Sequence, residues 1–269
     1  MAKTLAELRQ MHANMSTEGG SSTKKTNNDW LTFTEGSNLI RFLPGKEDPL
    51  EFFAEGAIHR YEIPSEPYAR NYKCRRPSGE TCPVCDLHWD LWKKHKELDL
   101  GKGSDGKNIQ SKYGTLASKL KQKSRYYAAA VSRQIQETGE GDPVKMVGMS
   151  KTLFDRVMKA LCSEDFMDES DPDNTTIIAL ERGNDFDIVM TKKGGWSNFD
   201  DSAAKFKKTV AGSPSQIAEW MDHQHDLAAL VVPDSLEDGK RIVMELEATL
   251  DTVKTESTND SGNDGDLKV

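Results

Sequence analysis

Three of the chain's four cysteines lie within twelve positions, in the stretch YKCRRPSGETCPVCDLHWDLWKKH that begins at residue 72. Cys82 and Cys85 have the CxxC spacing with which two thiolates bind one ion, and a PSGE turn can fold Cys74 back towards them. Redox pairs share the CxxC spacing, but a third cysteine close by favours a metal site. Because thiolates completed by an imidazole suit zinc, the sequence predicts one Zn²⁺ ion.

Four residues compete for the remaining ligand position: Cys162, His95, His88 and His59. Cys162 extends the apolar stripe of a predicted helix at 150–161, so it is predicted to be a small core residue rather than a metal ligand. His95 lies about 15 Å along a predicted helix from the nearest cysteine, too far to share the ion. His88 is within reach, but the turn between the two cysteines crowds it.

His59 is the preferred fourth ligand, with His88 second. His59 lies in the alternating stretch AEGAIHRYEI, which is predicted to form a strand that pairs with the segment leading into Cys74. A strand and a cysteine turn together supply the ligands of zinc ribbons. A site closed by four protein ligands leaves no position for a reacting water, so the predicted role of the metal is structural.

Charge is sorted into blocks along a chain whose formal net charge is −8. The segment 107–136 has seven basic residues and no acidic one, whereas SEDFMDESDPD at 163–173 has six acids and no base. A local basic block can bind a polyanion whatever the total charge. The basic residues of this segment are Lys107, Lys112, Lys119, Lys121, Lys123, Arg125 and Arg133.

The basic block contains a regular pattern, the basic rail, formed by Lys119, Lys121, Lys123 and Arg125. On a strand, residues at every second position project from one face at steps of about 6.6 Å, which suits the phosphates of an extended single strand. Tyr126 and Tyr127 follow and point to opposite faces, so one can stack on a base while the other packs inward. The alternative is an exposed edge strand whose lysines discourage aggregation.

Two further segments offer side chains to a nucleic acid. Trp196 and Phe199 lie in the glycine-bearing turn KKGGWSNFDD, where they either stack on bases or fold back into the core. Arg41 alternates with Ile40 and Phe42 in NLIRFLPG and is therefore predicted to face solvent or a ligand groove.

The remaining pattern predicts a β-rich α+β protein with helical insertions. Predicted strands are NLIRFLPG, LEFFAEGAIHRYEI, RYYAAAVSRQIQ, VKMVGM, TTIIAL and DFDIVMTKK, and predicted helices are residues 1–16, SKTLFDRVMKAL, PSQIAEWMDHQHDLAALV and RIVMELEATLDTV. The predicted organisation is an arm and linker at 1–28, a core at 29–253 with a zinc subdomain at about 52–98, and a flexible acidic tail at 254–269. Apolar runs are too short for a membrane span.

Several phrases together resemble the single-stranded-DNA-binding protein family of T-even-type bacteriophages, the replication helix-destabilising proteins. They are LIRFLPGKED, the IHRY histidine, CPVC, KQKSRYYAA, TLFDRVMKAL and GWSNFDDSAAKF, in the family's order. The resemblance implies an OB-fold core and a zinc-ribbon-like subdomain ligated by one histidine and three cysteines, here His59, Cys74, Cys82 and Cys85. It also implies a DNA groove lined by Arg41, Tyr113, the basic rail, Tyr126, Tyr127, Arg133, Trp196 and Phe199.

The predicted function is sequence-tolerant, non-enzymatic binding of single-stranded DNA during phage replication, recombination and repair, in the cytoplasm of the infected host. The resemblance implies that the N-terminal arm contacts neighbouring copies and that the tail recruits replication and recombination proteins. No P-loop, HExxH, GxSxG or dinucleotide motif argues for catalysis. Two alternatives remain open: a zinc-ribbon module that docks on a replication protein, and an RNA-binding translational regulator acting on messages that include its own.

Overall fold

The computed structural model describes residues 29–63, 68–102, 108–168 and 171–256. The predicted helix at 1–16, the arm and linker at 1–28, and the tail from residue 257 onward lie outside the described residues.

Strands and helices alternate along the described chain. The strands are Gly36–Phe42 (β1), Phe53–Tyr61 (β2), Arg70–Lys73 (β3), Lys123–Ser132 (β4), Val144–Ser150 (β5), Met167–Asp168 (β6), Asp171–Thr175 (β7), Gly183–Lys193 (β8), Trp196–Asn198 (β9) and Ala203–Thr209 (β10). The helices are Pro83–Glu97 (α1), Lys112–Leu120 (α2), Arg133–Thr138 (α3), Lys151–Leu161 (α4), Pro214–Asp222 (α5), Leu227–Val231 (α6) and Leu236–Glu256 (α7).

Eight of these strands form one antiparallel sheet, in the order β10-β8-β1-β4-β2-β3, with β5 paired to β4 and β9 paired to β8. The strand β4 pairs with three other strands, β1, β2 and β5. Its first half pairs with β2 and its last residues pair with β1, while β5 runs along the opposite edge. The protein is therefore an α+β protein, as the sequence predicts.

Three buried cores lie on this frame within the described residues, and two of them bear on the site. The sheet core joins the inner faces of β1, β4, β5 and β8 to the helix α4, and its members include Phe42, Phe52, Val147, Leu153, Val157 and Phe186. The metal-side core surrounds the cysteine cluster and draws residues from β2, α1, α2 and α7, including Leu91, Ala117, Leu120, Ile242 and Leu246. The C-terminal helix α7 is thus part of the structure that encloses the cysteines.

Most predicted elements are confirmed, and the exceptions have local causes. The strand predicted at RYYAAAVSRQIQ ends at Ser132, whose hydroxyl caps the helix α3 by accepting from the Ile135 amide. The strand predicted at TTIIAL is wrong, because Thr175 and Thr176 donate their hydroxyls to the Phe166 carbonyl and the chain turns there. The helix predicted across 214–231 is two helices, α5 and α6, separated at residues 223–226.

Candidate metal centre and nucleic-acid cleft

His59, Cys74, Cys82 and Cys85 meet in a buried cluster whose ligand atoms all lie within 4.8 Å of one another. The His59 Nε2 atom lies 3.5 Å from Cys82 Sγ and 3.3 Å from Cys85 Sγ, and the Sγ atoms of Cys74 and Cys85 are 3.6 Å apart. Tetrahedral zinc with bonds of about 2.3 Å to sulfur and 2.0–2.1 Å to nitrogen requires ligand separations of about 3.5–3.8 Å. The cluster can therefore hold one metal ion.

Ordinary secondary structure places each ligand. The strand β3 pairs with β2 so that Tyr72 lies opposite His59, and the Cys74 amide then donates to the Ala57 carbonyl across the same pair. Cys82 is the extended residue before α1, Pro83 opens that helix, and Cys85 lies in its first turn. The strand pairing and the helix start thus bring together ligands that are 26 residues apart in the sequence.

Hydrogen bonds orient the histidine and polarise the thiols. The His59 Nδ1 atom lies 2.6 Å from the Leu120 carbonyl, so an Nδ1–H tautomer leaves the Nε2 lone pair facing the sulfurs. Burial lowers the pKa of His59, but hydrogen bonds with Cys74 and Cys82 outweigh burial and raise that pKa to about 9. Hydrogen bonds with Cys74 and Cys85 lower the pKa of Cys82. Hydrogen bonds with Cys74 and Cys82 raise the pKa of Cys85, so a second thiolate beside Cys82 is disfavoured unless a cation binds.

The competing ligands lie elsewhere. His88 Nδ1 is 2.8 Å from the Ala117 carbonyl, and His95 Nδ1 is 2.9 Å from the Ser111 hydroxyl. Cys162 is exposed just after α4, so the prediction of a small core residue there is wrong, because the helix ends one residue earlier.

A cleft of about 690 Å³ lies beside the metal centre, between the end of β2, the helix α2 and the β8–β9 hairpin. Lys119 and Lys123 project into it, and the Trp196 side chain, 81% exposed, reaches it from the hairpin. The cleft is lined by Arg60, Tyr61, Glu62, Ile63, Tyr68, Ala69, Leu116, Lys119, Leu120, Lys123 and Trp196. The arrangement combines exposed cationic and aromatic side chains, as single-strand binding surfaces do.

Residues 34–253 match the sequence model of the gp32 DNA binding protein-like family. The chain belongs to this family. The match confirms the resemblance to the T-even-type phage proteins, and it spans the sheet core, the metal centre and the cleft. Among curated proteins, no match to the chain is found. Within the described residues, no helix is both long and apolar enough to cross a membrane.

The basic rail of this gp32-like chain is only partly a strand. Lys119 lies in α2 and Lys121 follows the end of that helix, so the predicted strand geometry is wrong for both residues. Lys123 opens β4, and Arg125 lies half-buried two residues further on. Lys119 and Lys123 line the cleft together, while Lys121 and Arg125 are not among its lining residues.

The two tyrosines do point to opposite faces. Tyr126 is 7% exposed and stacks on Phe154 in the sheet core with ring centroids 3.8 Å apart, so it is the tyrosine of the pair that packs inward, and it does not line the cleft. Tyr127 is half-buried on the other face, where its ring meets Trp30 edge-on at 5.8 Å. Of the pair, only Tyr127 keeps part of its ring exposed.

Two arginines predicted to contact DNA are buried instead. Arg41 is fully buried, and its guanidinium lies 2.8 Å from the Asp185 carboxylate and donates to the Gly183 carbonyl. Arg133, which is 8% exposed, binds the same carboxylate at 2.7 Å and donates to the Ala211 carbonyl. Both predictions are wrong because β1 is buried on both faces where Arg41 lies, and Asp185 holds both cations.

Phe199 and Tyr113, which are also predicted to contact DNA, are not among the residues that line the cleft. Phe199 is partly buried and packs edge-on against Phe33 with centroids 5.6 Å apart, which is the core alternative considered for it. Tyr113 lies half-buried in the first turn of α2, packed against the metal-side core.

Most of the residues that line the cleft were not predicted from the sequence, and Arg60 and Tyr68 are the cationic and the exposed aromatic residue among them. Arg60 follows the ligand His59 on β2, so strand alternation already places it on the opposite face from the metal. Tyr68 is 78% exposed beside β3, and no sequence pattern distinguishes it from a core tyrosine.

Proposed function

We propose that this protein binds single-stranded DNA, independently of sequence, in the cleft between α2 and the β8–β9 hairpin. The observation that carries the proposal is the placement of exposed Trp196 in the same cleft as Arg60, Lys119 and Lys123. The cations attract phosphates, and every base has a face that can stack on an indole ring. Membership of the gp32 DNA binding protein-like family supports the same conclusion.

Preference for single strands follows from the stacking contact. A base within a duplex is covered on both faces by its neighbours, so Trp196 could stack on it only after unpairing and unstacking. The ion pair between Lys119 and Glu62, 3.1 Å long and exposed on both sides, leaves the Lys119 ammonium free to exchange its partner for a phosphate.

The metal is proposed to be one structural Zn²⁺ ion. Three sulfurs and one imidazole, whose ligand atoms lie within 4.8 Å of one another, are the donor set that zinc prefers. The ion would tie β2 to the start of α1 and would thereby hold one wall of the cleft, since Arg60 follows His59 on the same strand. We further propose that the sheet core is an OB-fold and that the metal-bearing part is a zinc-ribbon-like subdomain.

Membership of the family supports a wider proposed role. The protein is proposed to coat single strands during phage DNA replication, recombination and repair in the cytoplasm of the infected cell, without enzymatic activity. Residues 1–28 would contact neighbouring copies on the strand, and residues 254–269 would recruit replication and recombination proteins. RNA is the second candidate ligand, because attraction of phosphates and stacking of bases do not by themselves distinguish ribose from deoxyribose.

Replacing Trp196 by alanine is expected to weaken binding of oligo(dT) by roughly 5- to 150-fold, since one stacked base contributes about 1–3 kcal/mol. The matched control is Phe206→Ala. Phe206 is 78% exposed but stacks on Phe166 and is not among the residues that line the cleft. Fluorescence anisotropy of a labelled oligonucleotide measures both affinities, and equal losses in the two variants would contradict the assignment of the cleft.

A further inference from the structure

An exposed tryptophan lies on the outer face of α1, away from the metal. Trp89 is 57% exposed, and with Trp92, Lys93, Lys96 and Glu97 it lines a shallow depression of about 360 Å³. The opposite face of α1 is buried in the metal-side core through Val84, Cys85, Leu87 and Leu91. Neither the metal centre nor the sheet requires an indole on the outer face.

The surroundings of Trp89 are more basic than acidic. Lys93, Lys94 and Lys96 are exposed on the same helix, and its three exposed acids are Asp86, Asp90 and Glu97, of which Asp86 is paired with Arg76 at 2.9 Å. Lys93 is a neighbour of Trp89 on the helix surface because it lies four residues further on, and Lys96 lies one turn beyond, four residues after Trp92. A flat aromatic side chain beside two ammonium groups repeats the chemistry of the cleft.

The Trp89 patch, defined as Trp89, Lys93 and Lys96, is close to the cleft. The His88 ring is 5.0 Å from the Trp89 ring, and His88 Nδ1 lies 2.8 Å from the Ala117 carbonyl of α2. The same helix supplies Leu116 and Lys119 to the cleft wall, so α2, which as a helix is about 10 Å across, contacts both α1 and the cleft. The exposed α2 residues Thr115 and Ser118 carry no charge that would repel a phosphate.

We propose that the Trp89 patch extends the single-strand binding path beyond the cleft. A strand that leaves the cleft crosses α2, stacks one base on Trp89 and places phosphates beside Lys93 and Lys96. This inference rests on the proposed function, because it continues the same path. It assigns to the metal-bearing part of the molecule a second stacking position, used only by strands longer than the cleft accommodates.

The test compares oligonucleotide lengths in one variant, using the metal-loaded full chain. Binding of dT4 and dT16 is measured by fluorescence anisotropy, since known sites span about 4–16 nucleotides per OB-fold. Trp89→Ala is expected to weaken dT16 binding by roughly 5- to 150-fold and to leave dT4 binding unchanged. Trp196→Ala is expected to weaken binding of both lengths.

A second variant tests the lysines separately from the indole, and a fold control distinguishes lost binding from lost structure. Lys93→Gln with Lys96→Gln leaves the indole in place and is expected to lower the salt slope for dT16 by about 1.4, at about 0.7 per phosphate contact. Metal content and melting temperature are measured for every variant. Unchanged dT16 binding in both patch variants would overturn the inference and leave the patch as a surface for a protein partner. Equal loss at both lengths would also overturn it, whereas wild-type protein that binds neither oligonucleotide would refute the proposed function itself.

Discussion

Serine in place of Cys82 is expected to abolish stoichiometric metal binding and to lower the melting temperature by about 6–12 °C or more. Cys82 is fully buried, and its sulfur contacts the His59 ring that organises the cluster. Metal binding contributes about 10 kcal/mol or more to the folding of small zinc modules, and losing about 3 kcal/mol of it shifts melting by roughly 6–12 °C in a chain of this size. The effect should reach beyond the cluster, because the cysteines share a core with Leu246 of α7.

The matched control for this experiment is Cys162→Ser. Cys162 is exposed and outside the cluster, so its replacement removes a thiol without removing a ligand. Metal content by mass spectrometry under native conditions and melting by calorimetry measure both variants. If Cys82→Ser retains one equivalent of zinc and melts with the wild type, the four-ligand site is not the structural centre described above.

Asparagine in place of Asp185 is expected to destabilise the fold by roughly 3–5 kcal/mol, the usual cost of leaving a buried charge unpaired. The Asp185 carboxylate forms ion pairs with two buried guanidinium groups, those of Arg41 and Arg133, at 2.8 and 2.7 Å. Burial already lowers the pKa of Arg41, and its Nε atom has no hydrogen-bond partner. Removing the shared anion leaves two cations facing each other in a region closed to solvent.

The comparison variant is Asp155→Asn on the surface of α4. Asp155 pairs with Lys151 across one helical turn, and both side chains are exposed, so its loss should leave stability unchanged within error. Urea unfolding followed by circular dichroism gives both free energies. Equal stability of the Asp185 and Asp155 variants would show that the buried cluster contributes nothing beyond a surface ion pair.

The cluster that can hold a metal ion could be predicted from the sequence because its geometry is local. Two local features bring the four side chains together. The pairing of β2 with β3 places His59 near Cys74, and the start of α1 places Cys82 and Cys85 of the CxxC motif beside them. The cleft could be predicted only in part. Lysines at every second position predicted a strand that begins at Lys119, but Lys119 lies in the helix α2, which extends through Leu120. Lys119 and Lys123 nevertheless line the same cleft, one from the end of the helix and one from the start of β4.

The buried arginines could not be recognised from alternation alone. Alternation places Arg41 opposite Ile40 and Phe42, but it says nothing of whether the second face of β1 is also covered. The partner that decides the matter, Asp185, is 144 residues away on β8, which is the next strand in the sheet. Contacts between residues so distant in sequence depend on the topology of the sheet, which no local pattern records.

The most direct test of the account is a tryptophan-fluorescence titration of the zinc-loaded protein with oligo(dT) and with a duplex of matched length, at several salt concentrations. Exposed Trp196 in a cleft with Arg60, Lys119 and Lys123 predicts strong quenching by the single strand and little by the duplex. It also predicts that the affinity falls with salt at a log–log slope of about −0.7 per phosphate contacted. Failure to bind the single strand at low salt, or equal affinity for the duplex, would contradict the proposed function.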